Sequence, residues 1–154
     1  MKSERASLGW IGMGQIGTPM VLRLIAAGHD VMVWGRNTAR LAPALAAGAR
    51  EAPSAAQVAA RSEAVFLCVL DDAAVEDVVF GAAGVAEGAR RGTLIVDHST
   101  IHPQSAVAFS SRVAASSLGG STRRYRAVRA VRRTARCRCI SAARRRTSSA
   151  CVRG

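Results

Sequence analysis

Three glycines lie within six positions near the start of the chain, in the segment GMGQIG. Gly12, Gly14 and Gly17 have the spacing G-x-G-x-x-G, in which the first glycine permits a tight turn, the second lets the backbone approach a pyrophosphate and the third lets a helix pack close to a strand. Backbone N–H groups at the start of such a helix face the phosphates. The spacing alone also fits a turn without a ligand, so its meaning depends on the flanking elements. The residues between the glycines belong to the same candidate cofactor-binding loop: Met13, Gln15 and Ile16.

The elements around these glycines are predicted from the apolar periodicity of the sequence. A strand over SLGWIG ends at the first glycine, a helix over QIGTPMVLRLIAAGH ends near Gly28, and DVMVWGR forms a second strand. The glycines thus lie between a strand and a helix inside a strand-helix-strand unit, as a dinucleotide-binding fingerprint requires. We therefore favour a dinucleotide site over a turn without a ligand.

The same alternation continues to about residue 115. The pattern predicts short helices over TARLAPALAAG and SAAQVAARS, a buried strand over AVFLCVL, an acid-started helix over DDAAVEDVVFG, a strand over GTLIVDHST and a helix after Pro103. Strict alternation of strand and helix implies a parallel sheet with right-handed crossovers. We expect an α/β fold of the Rossmann type, a doubly wound parallel sheet, as one domain over residues 1–116.

The loop after the second strand bears on the choice of dinucleotide. In NAD-binding proteins an acidic residue about 20 positions after the glycines accepts hydrogen bonds from the adenosine ribose. This chain has no carboxylate there and instead has Arg36, followed by Asn37 and Thr38. An arginine can form charge-assisted hydrogen bonds with the 2′-phosphate of NADP, and the alternative is a solvated surface arginine. The sequence favours NADP as cofactor, with NAD as the alternative, and assigns these three residues to its site.

Charge and cysteine divide the chain into two unequal parts. Residues 1–110 hold nine basic and ten acidic side chains, whereas residues 111–154 hold thirteen arginines and no acid. Cys68 lies in an apolar run and is predicted to be a small buried hydrophobe. The other cysteines lie in the basic part without a second ligand pair, which argues against a zinc site. Because no apolar run could span a bilayer and the first residues lack the core of a signal peptide, we expect a cytoplasmic protein without a membrane partner.

Two separated motifs resemble one enzyme family. GWIGMGQIGTPM and VDHSTIHP are similar to the N-terminal domain of the β-hydroxyacid dehydrogenases, a group that includes 3-hydroxyisobutyrate dehydrogenase and 6-phosphogluconate dehydrogenase, and the resemblance covers residues 7 to about 115. It implies hydride transfer between a nicotinamide and the β-hydroxyl carbon of a small hydroxy acid substrate, assisted by a general acid/base lysine from a C-terminal helical domain. The only lysine here, Lys2, precedes the first strand and matches no such motif. We therefore expect a cofactor-binding domain that has no catalytic residues and is inactive alone. A homo-oligomer would require the missing domain.

The resemblance also implies roles for loop residues. The segment containing Ser99 and Thr100 would lie near the nicotinamide, where the serine holds the substrate carboxylate and the threonine contacts the cofactor. Val69 and Leu70 would lie against the adenosine side, although members commonly have proline where this chain has Leu70. From the residues alone, the serine and threonine would instead cap the helix after Pro103. The two histidines of this segment would be loop residues: His98 and His102.

The arginine-rich residues 117–154 allow two interpretations. Because they contain no acid and little periodicity, they fit a disordered basic arm that binds nucleic acid. Family members instead continue with a helix, a strand similar to DAPVSGG and a glycine-rich segment ending in GTL, and nothing in residues 117–154 resembles these. A non-catalytic dinucleotide-binding module is a further alternative to a dehydrogenase domain.

A shifted reading frame recovers the expected family segment. Gly119 and the following residues, written in GC-rich codons and read from the third base of each codon, give GWIDAPVSGGPGGAEDGTL. The last two bases of most triplets are fixed by the protein sequence. The pair Ser121 and Thr122, for example, allows Asp, and the pair Arg124 and Tyr125 allows Val. We therefore favour a frameshift near residues 116–118 over a nucleic-acid arm. On this hypothesis the Rossmann domain is incomplete, and residues 117–154 are an out-of-frame, disordered tail.

Overall fold

The fold is that of a computed structural model, which describes residues 5–115 and, as backbone, residues 124–127. Strands β1 to β6 span Ser7–Ile11, Asp30–Trp34, Arg50–Glu51, Ala64–Leu67, Leu94–Asp97 and Arg124–Ala127. Helices α1 to α6 span Gly17–Ala26, Ala42–Ala46, Ala55–Ala60, Asp72–Phe80, Val85–Gly88 and Pro103–Ala115, and a 3₁₀ turn over Thr38–Leu41 precedes α2.

The strands form one parallel sheet in the order β3-β2-β1-β4-β5-β6. The chain moves outward from β1 to β3, returns to the centre at β4 and then moves outward in the other direction. This order is that of the doubly wound Rossmann fold, so the predicted fold class is confirmed. The switch point lies between β1 and β4, where an open parallel sheet binds its ligands at the carboxyl ends of the strands.

Helices cover both faces of the sheet because successive strand residues point to opposite faces. Trp10 packs in one core with residues of α1 and α2, whereas its neighbour Ile11 packs in the other core with residues of α3, α4 and α6. Val65 and Phe66 divide between the same two cores. All four side chains are buried, which explains why the sequence of these strands is continuously apolar.

The sequence predicted most of these elements but missed three. β3 has only two residues, both exposed, and α5 has four. Neither is long enough to produce a periodic pattern in the sequence. Both are held by contacts with residues that are distant in sequence. The Ala52 amide donates to the Val33 carbonyl at 3.0 Å, and Arg50 pairs with Asp30 at 2.6 Å beside β3. A side chain on Gly88 in α5 would overlap the backbone of Ala56 in α3.

The third missed element is β6, which corrects one expectation. Residues 117–154 were predicted to be a disordered tail, which would leave β5 at the edge of the sheet. That prediction is wrong for residues 124–127, because β6 pairs with β5 in parallel, with Leu94 opposite Arg124 and Asp97 opposite Ala127. Strand pairing uses backbone groups, so a charged sequence does not prevent it. The other residues of the predicted tail lie outside the described residues.

Among the helices of residues 5–115, none is long and apolar enough to cross a membrane.

Candidate cofactor-binding site

Loops after four strands converge at the carboxyl edge of the sheet, on either side of the switch point. The loop after β1 donates from Gly12 to the Trp34 carbonyl of β2 at 3.4 Å, and the Cys68 amide after β4 donates to the Ile11 carbonyl at 2.9 Å. The His98 amide after β5 donates to the Leu67 carbonyl at 2.8 Å. These bonds extend the parallel ladder just beyond the strand ends and hold the loops side by side.

Two of the three predicted glycines are required by close backbone contacts. Gly12 has φ +99°, a conformation that favours glycine, and a Cβ there would lie 2.7 Å from the carbonyl carbon of Cys68. A Cβ on Gly17, the first residue of α1, would overlap the carbonyl oxygen of Gly12 and lie 3.1 Å from Nε1 of Trp10. The first glycine therefore makes the turn, and the third lets α1 pack against β1.

The middle glycine is different, because a Cβ on Gly14 would meet no heavy atom within 4 Å. Its backbone thus faces open space at the switch point. At the start of α1, Ile16 makes no side-chain capping bond, and its own side chain is 68% exposed. Gln15 is also exposed, whereas the side chain of Met13 is buried in the core, so only its backbone belongs to the loop. An uncapped helix start beside open backbone fits a dinucleotide pyrophosphate.

The glycine loop, residues 12–17, accepts a hydrogen bond from the indole of Trp10 in the core. Trp10 is 1% exposed, and its Nε1 donates to the Gly12 carbonyl at 3.0 Å. From the sequence, Trp10 is predicted only as a residue of the first strand. The alternation of β1 could have shown that its ring lies in the core, but not that its N–H reaches the turn.

The loop after β2 places three predicted cofactor residues together on the surface. Arg36, Asn37 and Thr38 are all exposed. Asn37 accepts a hydrogen bond from the Ala39 amide at 3.1 Å and thereby caps the 3₁₀ turn that begins at Thr38. Arg36 forms no ion pair with any residue in the range 5–115. Its guanidinium is therefore available to an anion at the end of β2.

The two loops after β4 and β5 are joined through Ser99. Its Oγ accepts a hydrogen bond from the Val69 amide at 3.0 Å, and its own amide donates to Oδ1 of Asp97 at 2.8 Å. A hydroxyl that accepts from an amide still has its proton to donate, so Ser99 can also bind a carboxylate. The fully buried Asp97 was quoted in the sequence motif without a role, and it orients Ser99.

The remaining predicted residues of these loops lie at the surface. Leu70 is 83% exposed and Thr100 is exposed, while Val69 is half-buried. The structure brings all of them to the carboxyl edge, where the resemblance expects the cofactor. Contact of each residue with a cofactor stays a prediction. Lys2 and the three cysteines of the basic part lie outside the described residues.

His98 lies in the loop after β5, as predicted, and its ring also forms part of an aromatic cluster with Trp10 and Phe66. Its ring stacks on Trp10 and Phe66 with centroid distances of 6.0 and 5.9 Å, and those two rings stack on each other at 5.5 Å. Within residues 5–115, its buried Nε2 has no hydrogen-bond partner. Burial lowers the pKa of His98, and the neighbouring Asp97 opposes that shift. The neutral imidazole is thus favoured. His102, by contrast, is exposed.

Cys68 lies beside the same carboxylate. It is a half-buried free thiol, and burial raises its pKa, with a further increase from the charge of Asp97. A thiol with a raised pKa is a poor nucleophile at neutral pH. Cys68 was predicted to be a small buried hydrophobe; it packs against the core that contains Trp10 but is only half-buried, because it lies just beyond the end of β4.

Comparisons with known proteins agree with this geometry. Residues 7–120 match the family model of the NAD binding domain of 6-phosphogluconate dehydrogenase. The chain is 36% identical over 98 residues to 3-sulfolactaldehyde reductase of Escherichia coli K12, covering 64% of this chain and 33% of that one. It is 35% identical over 97 residues to the cytokine-like nuclear factor N-PAC of Xenopus tropicalis, covering 63% of this chain and 18% of that one. The chain thus spans a third or less of the length of these relatives.

A solved structure has a similar fold. Psf3, described in complex with NADP⁺ and 2-OPP, has a TM-score of 0.69 and 26% identity, with 77% of this chain and 40% of that one covered. The nicotinamide dinucleotide cofactor that the glycine spacing predicted is therefore supported by family and by structure. The chain belongs to the family of the NAD binding domain of 6-phosphogluconate dehydrogenase, within the β-hydroxyacid dehydrogenase group that its two motifs predicted.

Proposed function

We propose that the chain binds NADP, in preference to NAD, as the cofactor domain of an oxidoreductase for a small 3-hydroxy acid. The proposal is carried by the open backbone at Gly14 together with the exposed Arg36, which forms no ion pair within residues 5–115. An uncapped helix start and exposed glycine backbone suit a pyrophosphate. A guanidinium at the end of β2 suits the 2′-phosphate, where NAD-specific proteins place a carboxylate.

The other side of the site would serve the nicotinamide and the substrate. When bound, the nicotinamide supplies or accepts the hydride. Ser99 would donate its hydroxyl proton to a substrate carboxylate while its Oγ accepts from the Val69 amide. Thr100 would contact the cofactor from the same segment, and the exposed Leu70 would cover the adenosine side from the loop after β4. These residues bind and orient, and none of them is placed to move the substrate proton.

Calorimetry of the 154-residue chain with NADPH and NADH tests the cofactor proposal. We expect binding of both dinucleotides, with NADPH bound more tightly. Equal affinities would contradict the preference for NADP, and no binding of either would contradict a dinucleotide site. Because the only lysine is Lys2, we expect no reduction of NADP with 3-hydroxyisobutyrate as test substrate.

We further propose that the gene changes frame near residue 117, so that residues 117–154 are out of frame. The shifted reading gives DAPVSGG over codons 121–128, and in the protein the same stretch contains β6, which pairs with β5. A family strand at that position would take the same place in the sheet. A basic arm for nucleic acid, the competing interpretation, gives no reason for the codons to encode this motif.

Genomic DNA sequenced across codons 112–128 and downstream tests this proposal directly. We expect the shifted frame to encode DAPVSGG and then a longer segment that contains a lysine-bearing helical domain. A shifted frame without this motif would contradict the proposal. So would turnover of a small hydroxy acid by the purified 154-residue chain.

A further inference from the structure

One aspartate connects the two helices that follow β4 and β5. Asp72 lies in the first turn of α4, but its carboxylate bonds to the start of α6. Oδ1 accepts a hydrogen bond from the His102 amide at 3.0 Å, and Oδ2 accepts from the Ser105 hydroxyl at 2.8 Å. Because α6 begins at Pro103, these donors lie at the N-cap and N3 positions of that helix.

This arrangement replaces a local capping box. In a capping box, a Glu or Gln at N3 reaches back to the amide of the N-cap residue. The N3 residue of α6 is Ser105, whose side chain is too short for that bond. Asp72, which is 30 residues from His102 in sequence, supplies the acceptor instead. Pro103 marks the start of α6 in its own sequence, whereas the acceptor for the first amide comes from α4.

The neighbouring aspartate has a different partner. Asp71 caps its own helix by accepting from the Ala74 amide at 2.8 Å. At the opposite end of the contact, Arg112 pairs with Glu76 at 2.6 Å, and its guanidinium lies 3.9 Å from the ring centroid of Phe80. Because this second contact holds the later turns of α6 on α4, loss of the Asp72 bonds should loosen only the start of the helix.

The start of α6 is continuous with the segment that carries the predicted nicotinamide contacts. Residues 98–102 run from the end of β5 to α6 and are fixed at one end by the bonds of Ser99 to Asp97 and Val69. The bonds to Asp72 fix the other end. Between these two anchors, Ile101 packs against the core that contains Ile11, and Thr100 is exposed.

We propose that Asp72 is a positioning residue, which holds residues 98–102 in the conformation that receives the nicotinamide end of the cofactor. This inference rests on the proposed function, because the segment's ligand is taken from it. A segment that is ordered before binding does not have to lose conformational freedom on binding, so its anchor increases affinity without touching the ligand.

Calorimetry with a whole and a partial ligand separates positioning from a general structural role. The whole ligand is NADPH, and the partial ligand is 2′-phospho-ADP-ribose, which lacks the nicotinamide. For Asp72→Ala we expect about tenfold weaker binding of NADPH and unchanged binding of the partial ligand, since ordering a loosened segment on binding costs an affinity of that size. Asp72→Asn keeps one acceptor oxygen, so its NADPH affinity should lie between those of the unmodified chain and Asp72→Ala. Asp77→Ala removes an exposed carboxylate from the same helix and should change neither affinity.

Equal weakening of both ligands by Asp72→Ala, or no weakening of NADPH, would overturn the proposal. Hydrogen exchange of the ligand-free chain gives a second test that does not depend on the proposed function. In Asp72→Ala the amides of residues 99–106 should exchange faster, while those of β5 and of the last turns of α6 stay unchanged, and Asp77→Ala should match the unmodified chain. Unchanged exchange over residues 99–106 would overturn the inference even if NADPH binds. Failure of the unmodified chain to bind either ligand, with the expected exchange result, would instead contradict the proposed function.

Discussion

The glycine loop at residues 12–17 and the segment at residues 98–102 lie at the same edge of the sheet but are held in place differently. The glycine loop contains the positive φ of Gly12 and is supported by the side chain of Trp10, two residues before the turn, and its one long-range constraint on residue type is the close approach of Gly12 to the backbone of Cys68. The segment at residues 98–102 depends on Val69 and Asp72, which lie 30 positions away in sequence. A site can therefore combine one part that its own sequence specifies with another part that the fold must assemble.

The largest expected effect is on NADPH affinity, and it distinguishes Gly14 from Gly12 in the same loop. Gly14→Val places a side chain in open space, so the fold should survive, but the side chain would occupy the path of the pyrophosphate. We expect NADPH affinity to fall by about 100-fold or more, which corresponds to about 3 kcal/mol, with an unchanged far-UV circular dichroism spectrum. Retained binding would mean that the glycines serve only as a turn.

Gly12→Val is the matched variant in which the stability of the fold, and not only cofactor binding, should decrease. The substitution forces a β-branched residue into φ +99° and against the carbonyl of Cys68. The strain and overlap should destabilise the domain by about 3 kcal/mol. Urea unfolding measures this loss. A Gly12→Val chain as stable as the unmodified one would contradict the assigned difference between the two glycines.

A smaller effect is expected at the end of β2. If Arg36 binds the 2′-phosphate, Arg36→Ala should remove most of the preference for NADPH, about tenfold, and leave NADH affinity nearly unchanged. Arg40→Ala is the control, because Arg40 is an equally exposed arginine at the end of the adjoining 3₁₀ turn. Similar losses of NADPH affinity in both variants would indicate a general effect of positive charge. An unchanged preference in Arg36→Ala would mean that other groups bind the 2′-phosphate.

The sequence predicted the fold and the glycine loop because their signals are local. Alternating apolar strands and helices specify a parallel sheet, and the three glycines specify the turn and the close approach of α1. The sequence did not predict the bonds of Asp72 or the contact of Trp10 with the turn, since these depend on which elements become neighbours. It missed β6 for a related reason: Arg124–Ala127 give only a four-residue alternation inside an arginine-rich segment, and the strand depends on pairing with β5.

The smallest expected effect is a pH dependence of stability, which distinguishes the two parts of the site because the segment after β5 contains the half-buried imidazole of His98 and the glycine loop contains no titrating side chain. Burial lowers the pKa of His98 below its ordinary value of 6.5, so the unfolded chain takes up a proton there more readily than the folded one as the pH falls. The unfolded state then binds more protons, and the stability of the fold decreases from about pH 7 to pH 5. His98→Phe keeps a ring on Trp10 and Phe66 without a titrating nitrogen, so urea unfolding should give a smaller loss of stability over this range. His102→Phe replaces an exposed imidazole and should keep the loss seen in the unmodified chain. If both variants lose stability equally, His98 does not carry the pH response, and the segment at residues 98–102 resembles the glycine loop in having no titrating support.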